Sequence, residues 1–342
     1  MVNVTTIRDI AKLSGFSTGT VSRVINNHPD VNPATREKIE AIIRETGFQP
    51  NANAKFLKQT ISSTITVIVK GIQNSFFETI LEEMQEVFKE NGEEVSVIFL
   101  DETENEVDAA EHACSTRKPR GLIFLGGNIQ EFRKNFEKIT VPSVLVTVDA
   151  SQLGYDNLSS FTTDDISGAK EAVSYLVRFG HSRIGIVGGS LDETSGQLST
   201  SRLAGAREIL DTHRIPFTFE NNYAPCRFSM DDGYRATREL LQKNPGITAI
   251  FAMSDLIAVG AVRAVRDAGK SVPEDVSVIG YDGIDYVNYS VPRIATIRQN
   301  TGELARRSVE DLLLRVSYSR SAVHEKIPYT VIAGESVAKP RD

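Results

Sequence analysis

The stretch T-I-R-D-I-A-K-L-S-G-F-S-T-G-T-V-S-R-V-I-N at residues 6–26 predicts two short helices joined by a tight turn. Apolar residues recur at helical spacing in its first half and predict a buried stripe made of Ile7, Ile10, Ala11 and Leu13. Gly15 lies where the chain must turn, and Ser17 is a favourable N-cap for the second helix. This layout is typical of a helix-turn-helix, whose second helix enters the major groove of DNA.

The predicted outer face of the second helix carries small or hydrogen-bonding residues, namely Thr18, Gly19, Ser22, Arg23 and Asn26. A third helix follows, with Asn32 as its cap, Pro33 in its first turn and Gly47 at its end. The same pattern also fits a three-helix bundle with no nucleic-acid role. Residues 1–60 carry a net charge of +3 and the remainder carries −10. A positive head on an acidic body favours the DNA-binding alternative.

From residue 64, apolar runs alternate with amphipathic helices, which predicts open parallel sheets covered by helices on both faces. Predicted strands lie at 65–69, 95–100, 121–126, 143–148, 183–189, 249–253 and 276–282. Predicted helices lie near 76–91, 104–116, 129–137, 166–179, 200–212, 231–243, 255–268 and 301–317. A second series of strands and helices starts near 162, so the sequence predicts two similar α/β lobes with a cleft between them.

Ligands of such sheets bind beyond the carboxyl ends of the strands. The residues that follow the predicted strands, or lie in nearby loops, are Asn74, Phe76, Phe77, Thr147, Asp149, Arg202, Phe228, Ser254 and Asp282. They suit a small polar ligand with an apolar face. Alternatives remain for several of them: Phe76 and Phe77 also fit a core, and Asp149 and Asp282 fit turns. Asp255 is predicted to cap the helix that follows it.

Composition excludes several classes of protein. No apolar run in the 342 residues approaches the ~18 needed to span a membrane, and we expect no signal segment. Cys114 and Cys226 have no partner spacing, which suits a reducing cytoplasm. The five histidines show no ligand spacing, so no metal or cofactor is expected. No catalytic residues are predicted, because neither a phosphate-binding motif nor a nucleophile-base arrangement is present.

The run at 6–26, the segments V-N-P-A-T-R-E-K-I and G-F-Q-P-N-A-N-A-K-F-L, and the body motifs R-L-A-G and V-P-E-D-V-S-V-I-G-Y-D resemble the lactose-repressor/purine-repressor (LacI/GalR) family. The resemblance implies a helix-turn-helix head at 1–49 and a hinge helix and linker at 50–63. Residues implied to contact DNA are Thr6, Ser17, Thr18, Gly19, Thr20, Ser22, Arg23, Asn26, Asn51, Ala54, Lys55, Leu57 and Lys58. Leu57 would be an apolar wedge in the minor groove; a plain linker is the alternative for this segment.

The resemblance also implies a body like that of periplasmic binding proteins, with two doubly wound lobes. The first lobe is expected at 64–161 plus about 293–325, and the second at 162–292 plus about 326–340. Arg202, Phe228 and Asp282 are implied to contact the effector. Where sugar-binding members commonly have Asp and Asn-Asp, this chain has Thr147 and Ser254-Asp255, so the family's specific ligand does not carry over.

The expected protein is a cytoplasmic, homodimeric transcription repressor, nucleoid-associated when bound to a near-palindromic double-stranded operator. A small effector in the cleft, a sugar or sugar derivative, would shift lobe closure and with it the pairing of two hinges. One alternative keeps the regulator but replaces the effector with a phosphoprotein corepressor. A solute-binding transport protein is a second alternative, which the head argues against. A sugar-modifying enzyme is a third.

Overall fold

We describe a computed structural model of the chain over residues 7–25, 31–46, 64–71, 74–189 and 197–341. The chain divides into two compact units, Met1–Ser63 and Thr64–Asp342, which we call the head and the body. Several predicted DNA contacts lie outside the described residues: Thr6, Asn26, Asn51, Ala54, Lys55, Leu57 and Lys58. Within the described ranges, no helix combines the length and the apolar character needed to cross a membrane.

The head contains α1 (Ile7–Ser14), α2 (Thr18–Ile25) and α3 (Pro33–Thr46). Gly15 has a φ of 75°, so the turn between α1 and α2 uses the left-handed backbone that glycine tolerates. The Oγ of Ser17 accepts a hydrogen bond from the backbone N–H of Thr20 at 3.1 Å, and Oδ1 of Asn32 accepts one from Ala34 at 2.9 Å. Both predicted helix caps are therefore present.

The core of the head is formed by Ile10, Ala11, Val21, Val24 and Ile39, all buried. The prediction that Leu13 belongs to the buried stripe is wrong, because 52% of this residue is exposed. Ser14, one position further along α1, is buried instead, and its hydroxyl donates to the carbonyl of Ala11. A serine can occupy this face because α1 itself supplies its hydrogen-bond acceptor.

The body has two six-stranded sheets, and each is covered by helices on both faces. The strands are β1 (Ile65–Lys70), β2 (Val95–Leu100), β3 (Gly121–Leu125), β4 (Ser143–Val146), β5 (Leu158–Thr163), β6 (Ile184–Val187), β7 (Tyr223–Ala224), β8 (Ala249–Ala252), β9 (Ser277–Asp282), β10 (Ala295–Arg298), β11 (His324–Ile327) and β12 (Thr330–Ile332). The first sheet has the order β11-β5-β4-β3-β1-β2 and is parallel throughout. The second has the order β12-β10-β9-β8-β6-β7, and only β12 pairs antiparallel.

The helices of the body are α4 (Ser75–Glu90), α5 (Glu106–Thr116), α6 (Ile129–Asn135), α7 (Asp165–Arg178), α8 (Gln197–Thr212), α9 (Phe219–Asn222), α10 (Met230–Lys243), α11 (Asp255–Asp267), α12 (Tyr286–Tyr289) and α13 (Thr301–Ser317). In the first lobe, α4 and α13 pack on one face of the sheet and α5 and α6 on the other. In the second lobe, α7 and α8 cover one face and α10 and α11 the other. The two-lobed α/β architecture predicted from the sequence is confirmed.

The lobe boundaries defined by the two sheets differ from those expected from the sequence. The sequence returns the chain to the first lobe at about 293, but β10 at 295–298 pairs with β9 in the second sheet. The first lobe also holds residues 162–163 at the end of β5 and residues 326–327 at the end of β11. The chain therefore crosses between the lobes three times, after β5, after β10 and after β11.

Candidate functional site

Helix α2 presents its predicted outer face to solvent. Thr18, Gly19 and Arg23 are exposed, and Thr20 and Ser22 are half-buried. The hydroxyls of Ser17 and Thr20 lie 2.9 Å apart, so these two side chains serve the start of the helix as well as its surface. The exposed set combines a cationic fork, a hydroxyl and a glycine that allows close approach, which are features suited to contact with DNA edges and phosphates.

A cavity of about 590 Å³ lies between the two lobes, at the carboxyl ends of strands from both sheets. Most of the residues predicted at this cleft line it: Asn74, Phe76, Phe77, Thr147, Arg202, Phe228 and Asp282. The position agrees with the rule that open α/β sheets bind ligands beyond their carboxyl edge. Phe76 and Phe77 are also buried in the core of the first lobe, so both interpretations of these residues hold.

The structure does not bring Asp149 and Ser254 to the cavity lining. Oδ1 of Asp149 accepts a hydrogen bond from the backbone N–H of Ser151 at 2.9 Å, so this carboxylate caps a turn. Ser254 is buried, and its Oγ accepts from the N–H of Ile257 at 3.3 Å as the N-cap of α11. Both side chains bond to backbone groups nearby in sequence and are not part of the cavity lining.

Asp255 was predicted to cap α11, and this prediction is wrong because Ser254 fills that role. The fully buried Asp255 carboxylate instead reaches the end of β9 and the neighbouring β10. Its Oδ2 accepts from the N–H groups of Gly283 and Ile284 at 2.6 and 2.9 Å. Its Oδ1 accepts from the hydroxyl of Thr296 at 2.6 Å. Asp255 therefore fixes the loop that follows Asp282.

The second-lobe wall of the cavity is built around Arg202, which is 3% exposed. Its Nε donates to Oδ1 of Asp165 at 2.8 Å, and its Nη1 lies 3.5 Å from Oδ1 of Asp282. Its guanidinium also stacks 3.7 Å from the ring centre of Tyr281, a cation–π arrangement. Nη1 further donates to the carbonyl of Met253. These contacts fix the guanidinium before any ligand binds.

Asp282 has a φ of 112°, a backbone conformation that non-glycine residues rarely adopt and that is typical of functional positions. Its Oδ1 accepts from Nε2 of Gln299 at 2.8 Å. Burial raises the pKa of Asp282 to about 6, while the neighbouring Arg202 opposes that rise. Burial also raises the pKa of Asp165, and the positive charge of Arg202 partly offsets that rise. The cavity thus contains an ionisable acceptor close to a fixed donor.

The first-lobe wall contains an ion pair that the sequence analysis missed. Nζ of Lys70, at the end of β1, lies 2.5 Å from Oε2 of the fully buried Glu106. The other carboxylate oxygen of Glu106 accepts from the backbone N–H of Asn128. A lysine that directly follows the apolar run 65–69 was the available signal, because it places a charge at a strand end beside the cleft.

The mouth of the cavity is spanned by a longer ion pair. Nε of Arg227 in the second lobe lies 4.0 Å from Oε2 of Glu102 in the first lobe. A second cavity of about 780 Å³ adjoins this pair and shares Asn74, Glu102, Arg227 and Phe228 with the first. Neither charged residue was predicted, because each lies in an exposed loop with no sequence pattern around it. In the part of the chain that the structure describes, no group of three or more His, Cys, Asp or Glu side chains could hold a metal ion.

Comparisons with known proteins agree with this arrangement. Residues 6–51 match the family model of bacterial regulatory proteins of the lacI family, and residues 173–337 match that of periplasmic binding protein-like domains. The HTH-type transcriptional regulator MalR of Clostridium butyricum is 36% identical over 315 residues, which cover 89% of this chain and 90% of that protein.

Two solved structures extend the likeness to the whole architecture. The complex of the transcriptional regulator CelR with cellobiose matches with a TM-score of 0.71 and 26% identity, over 97% of this chain and 100% of that one. The Lac repressor dimer bound to operator and the anti-inducer ONPF matches with a TM-score of 0.71 and 25% identity, over 97% and 99% of the two chains. The chain therefore belongs to the lacI family of bacterial regulatory proteins and is a DNA-binding transcription regulator.

Proposed function

We propose that the protein is a homodimeric repressor that binds a near-palindromic operator through its head and is controlled by a small sugar-like effector bound in the cleft of its body. The observation that carries the proposal is the cavity between the lobes, whose second-lobe wall holds the pre-positioned donor Arg202 and the acceptor Asp282. A ligand that contacts both walls binds one degree of lobe closure better than another, and so it shifts the population of closed bodies. The protein would act in the cytoplasm, where the operator is.

The similar proteins supply the classes of partner. The Lac repressor structure holds operator DNA with a dimer, and the CelR structure holds cellobiose. We extend both classes of partner to this chain. The predicted hinge residues Asn51, Ala54, Lys55, Leu57 and Lys58 stay a prediction from the sequence, since they lie outside the described residues.

Fluorescence anisotropy of the full chain on DNA from upstream of its own gene tests the proposal. We expect specific binding roughly 10³-fold or more tighter than binding to scrambled DNA, with affinity falling as salt rises. A panel of sugars should include one that changes operator affinity by about fivefold or more. Equal affinity for specific and scrambled duplexes would contradict the regulator, and an operator affinity that no sugar alters would contradict the effector class.

Arg23 provides a sharper test of the head. Arg23→Ala removes the cation from the exposed face of α2 and should weaken operator binding by about tenfold, since one good contact to a base edge contributes about 1–3 kcal/mol. Arg44 is the matched control, an exposed arginine on α3 that lies 3.9 Å from Glu40. Arg44→Ala should leave operator affinity within about twofold. An equal loss from both variants would mean that α2 does not read the DNA.

Leu57→Ala tests the hinge. If Leu57 is inserted between base pairs, the variant should lose specific affinity far more than non-specific affinity, because only the specific complex bends the duplex. Binding to operator and to scrambled duplexes should be measured at the same salt concentration. An equal loss of affinity for both duplexes would indicate that this segment is a plain linker.

A further inference from the structure

We propose that the first-lobe end of the cavity is a hydroxyl-binding subsite for an uncharged polyhydroxylated ligand, formed by Lys70 and Thr147, with Glu106 holding Lys70 in place. The proposal rests on the proposed function and deepens it, because it names the charge class of the effector and the side chains that select it.

Thr147 carries the first observation. It lies just past the end of β4, lines the cavity and is only 3% exposed. Its backbone N–H donates to the carbonyl of Phe161 at 2.8 Å, so the main chain is satisfied by the sheet. Its Oγ1 is buried and has no hydrogen-bond partner among the described residues. A buried hydroxyl without a partner is costly, and a ligand hydroxyl would remove that cost.

The backbone of Thr147 is a second sign of a built site. Its φ is 75°, which a β-branched side chain rarely adopts, so this threonine is held in a strained conformation. Gly126 directly follows β3, the neighbour of β4, and also has a positive φ, of 77°. A Cβ atom at Gly126 would lie 2.8 Å from the ring of Phe77. The packing of Phe77 therefore requires a glycine at this rim of the cavity.

Lys70 lines the same cavity and supplies further hydrogen-bond donors. Its ammonium group has three N–H bonds, and the contact with Glu106 uses one of them. Both oxygens of Glu106 are engaged, one by Lys70 and one by the N–H of Asn128. The carboxylate therefore holds the ammonium in place at the wall of the cavity. The remaining N–H bonds of Lys70 are available to ligand oxygens.

Charge balance decides the class of ligand. Three cations line the cavity within the described residues, and each has a carboxylate within 4.0 Å: Lys70 with Glu106, Arg202 with Asp165, and Arg227 with Glu102. Glu102 and Asp282 line the cavity themselves. A phosphate or carboxylate on the ligand would meet cations that are already neutralised and carboxylates that repel it. Hydroxyl groups suffer no such penalty and match the donors and acceptors present.

Titration calorimetry on the full chain tests the class of ligand with pairs of probes that differ by one charged group. The probes are glucose against glucuronate and glucose 6-phosphate, and neutral disaccharides against their uronic acid forms. We expect at least one neutral probe to bind and to bind ten-fold or more tighter than its charged counterpart. Equal or tighter binding of the charged member, or no binding by any neutral probe, overturns the subsite.

Thr147→Val tests the subsite itself, because it keeps the shape of the side chain and removes the hydroxyl. We expect the Kd of the neutral probe to rise ten-fold or more. Thr163→Val is the matched control, since the hydroxyl of Thr163 is equally buried and without a partner among the described residues but lies outside the cavity lining. An equal loss in the two variants, or none in Thr147→Val, contradicts the assignment.

Lys70→Met alone would leave the Glu106 carboxylate buried and unpaired, so the informative variant is the double change of Lys70→Met with Glu106→Gln. It should fold, with an unchanged circular dichroism spectrum, and bind the neutral probe ten-fold or more weakly, because the Lys70 donors are gone. A double variant that folds and keeps the affinity of the unaltered chain for the neutral probe overturns the role of the pair. Operator binding by the unaltered chain is measured separately. If the unaltered chain does not bind the operator, the proposed function is refuted. If it binds the operator but does not prefer neutral probes, only this subsite is refuted.

Discussion

Asp255 and Thr296, which lie 41 residues apart in sequence, are joined by a 2.6 Å hydrogen bond between a fully buried carboxylate on α11 and a hydroxyl on β10. Asp255→Ala would strand this hydroxyl and the N–H groups of Gly283 and Ile284. Buried groups without partners cost about 1–3 kcal/mol each, so we expect the free energy of unfolding to fall by about 3 kcal/mol or more. Urea denaturation followed by circular dichroism measures this loss.

Asp255→Asn is the control for that prediction. The amide oxygen can accept from both backbone N–H groups, and the amide nitrogen can donate to Oγ1 of Thr296. The variant should therefore lie within about 1 kcal/mol of the parent. An alanine variant as stable as the asparagine variant would show that these hydrogen bonds do not hold the loop after β9.

The raised pKa of Asp282 predicts a pH dependence of stability. Burial raises this pKa to about 6, so between roughly pH 4 and 6 the folded chain keeps a proton that the unfolded chain has released. The contribution of Asp282 to stability is therefore present at low pH and is lost as pH rises through 6. The groups that interact with Asp282 are Arg202, Gln299, Asp165 and Asp255.

Asp282→Asn should remove that dependence. Across pH 4 to 7, the stability of the parent relative to this variant should decline by up to about 3 kcal/mol, at about 1.4 kcal/mol for each pKa unit. The charge of Asp282 also raises the pKa of Asp255, so part of the decline reflects the relief of that interaction in the variant. Parallel stability profiles for the two proteins would contradict the prediction.

The contact between Arg227 and Glu102 predicts a kinetic effect on effector release. Both side chains are largely exposed, so the pair should contribute under about 1 kcal/mol to folding. Because it bridges the lobes at the mouth of the cavity, Arg227→Ala should raise the dissociation rate of a bound sugar about two- to fivefold. Stopped-flow displacement measures this rate. The exchanged pair, Arg227→Glu with Glu102→Arg, should restore slow release, and a rate as fast as that of the single variant would argue against a bridge.

Ile10 and Leu13 give a matched pair in α1 of the head. Ile10 is fully buried and Leu13 is half exposed. Ile10→Ala should destabilise the head by about 2–5 kcal/mol, and Leu13→Ala should change its stability by no more than about 0.5 kcal/mol. Hydrogen exchange of the α1–α3 amides in the full chain separates the two. Similar protection in both variants would mean that the head core lies elsewhere.

Much of the body could be predicted because buried parallel strands read as unbroken apolar runs, as β3 and β8 do. Strand β5 could not, because four of its six residues are serine or threonine. It is nevertheless fully buried, and distant groups satisfy the hydroxyls of its two serines. Arg315 donates to Oγ of Ser159, and the hydroxyl of Ser160 lies 2.8 Å from Nδ1 of His324. Pairings of this sequence separation leave no local pattern.

The residues of the cleft also divide into those that the sequence predicts and those that it does not. Arg202, Phe228 and Asp282 follow from the family motifs and from their positions near strand ends. The roles of Ser254 and Asp255 could not be assigned, because which of two adjacent polar residues caps α11 depends on the loop after β9, which is distant in sequence. The pair of Lys70 and Glu106 escaped notice for a related reason, since the buried Glu106 starts a helix that looks exposed from its acidic sequence.

The three crossings between the lobes have a consequence for biosynthesis. The first sheet gains its edge strand β11 only at 324–327, and the second gains β12 only at 330–332. Neither sheet can be complete until residues 324–332 have been synthesised, so the two lobes complete their sheets almost together. A nascent chain stalled before β11 would carry two unfinished sheet edges, each a target for chaperones or for pairing with another nascent chain.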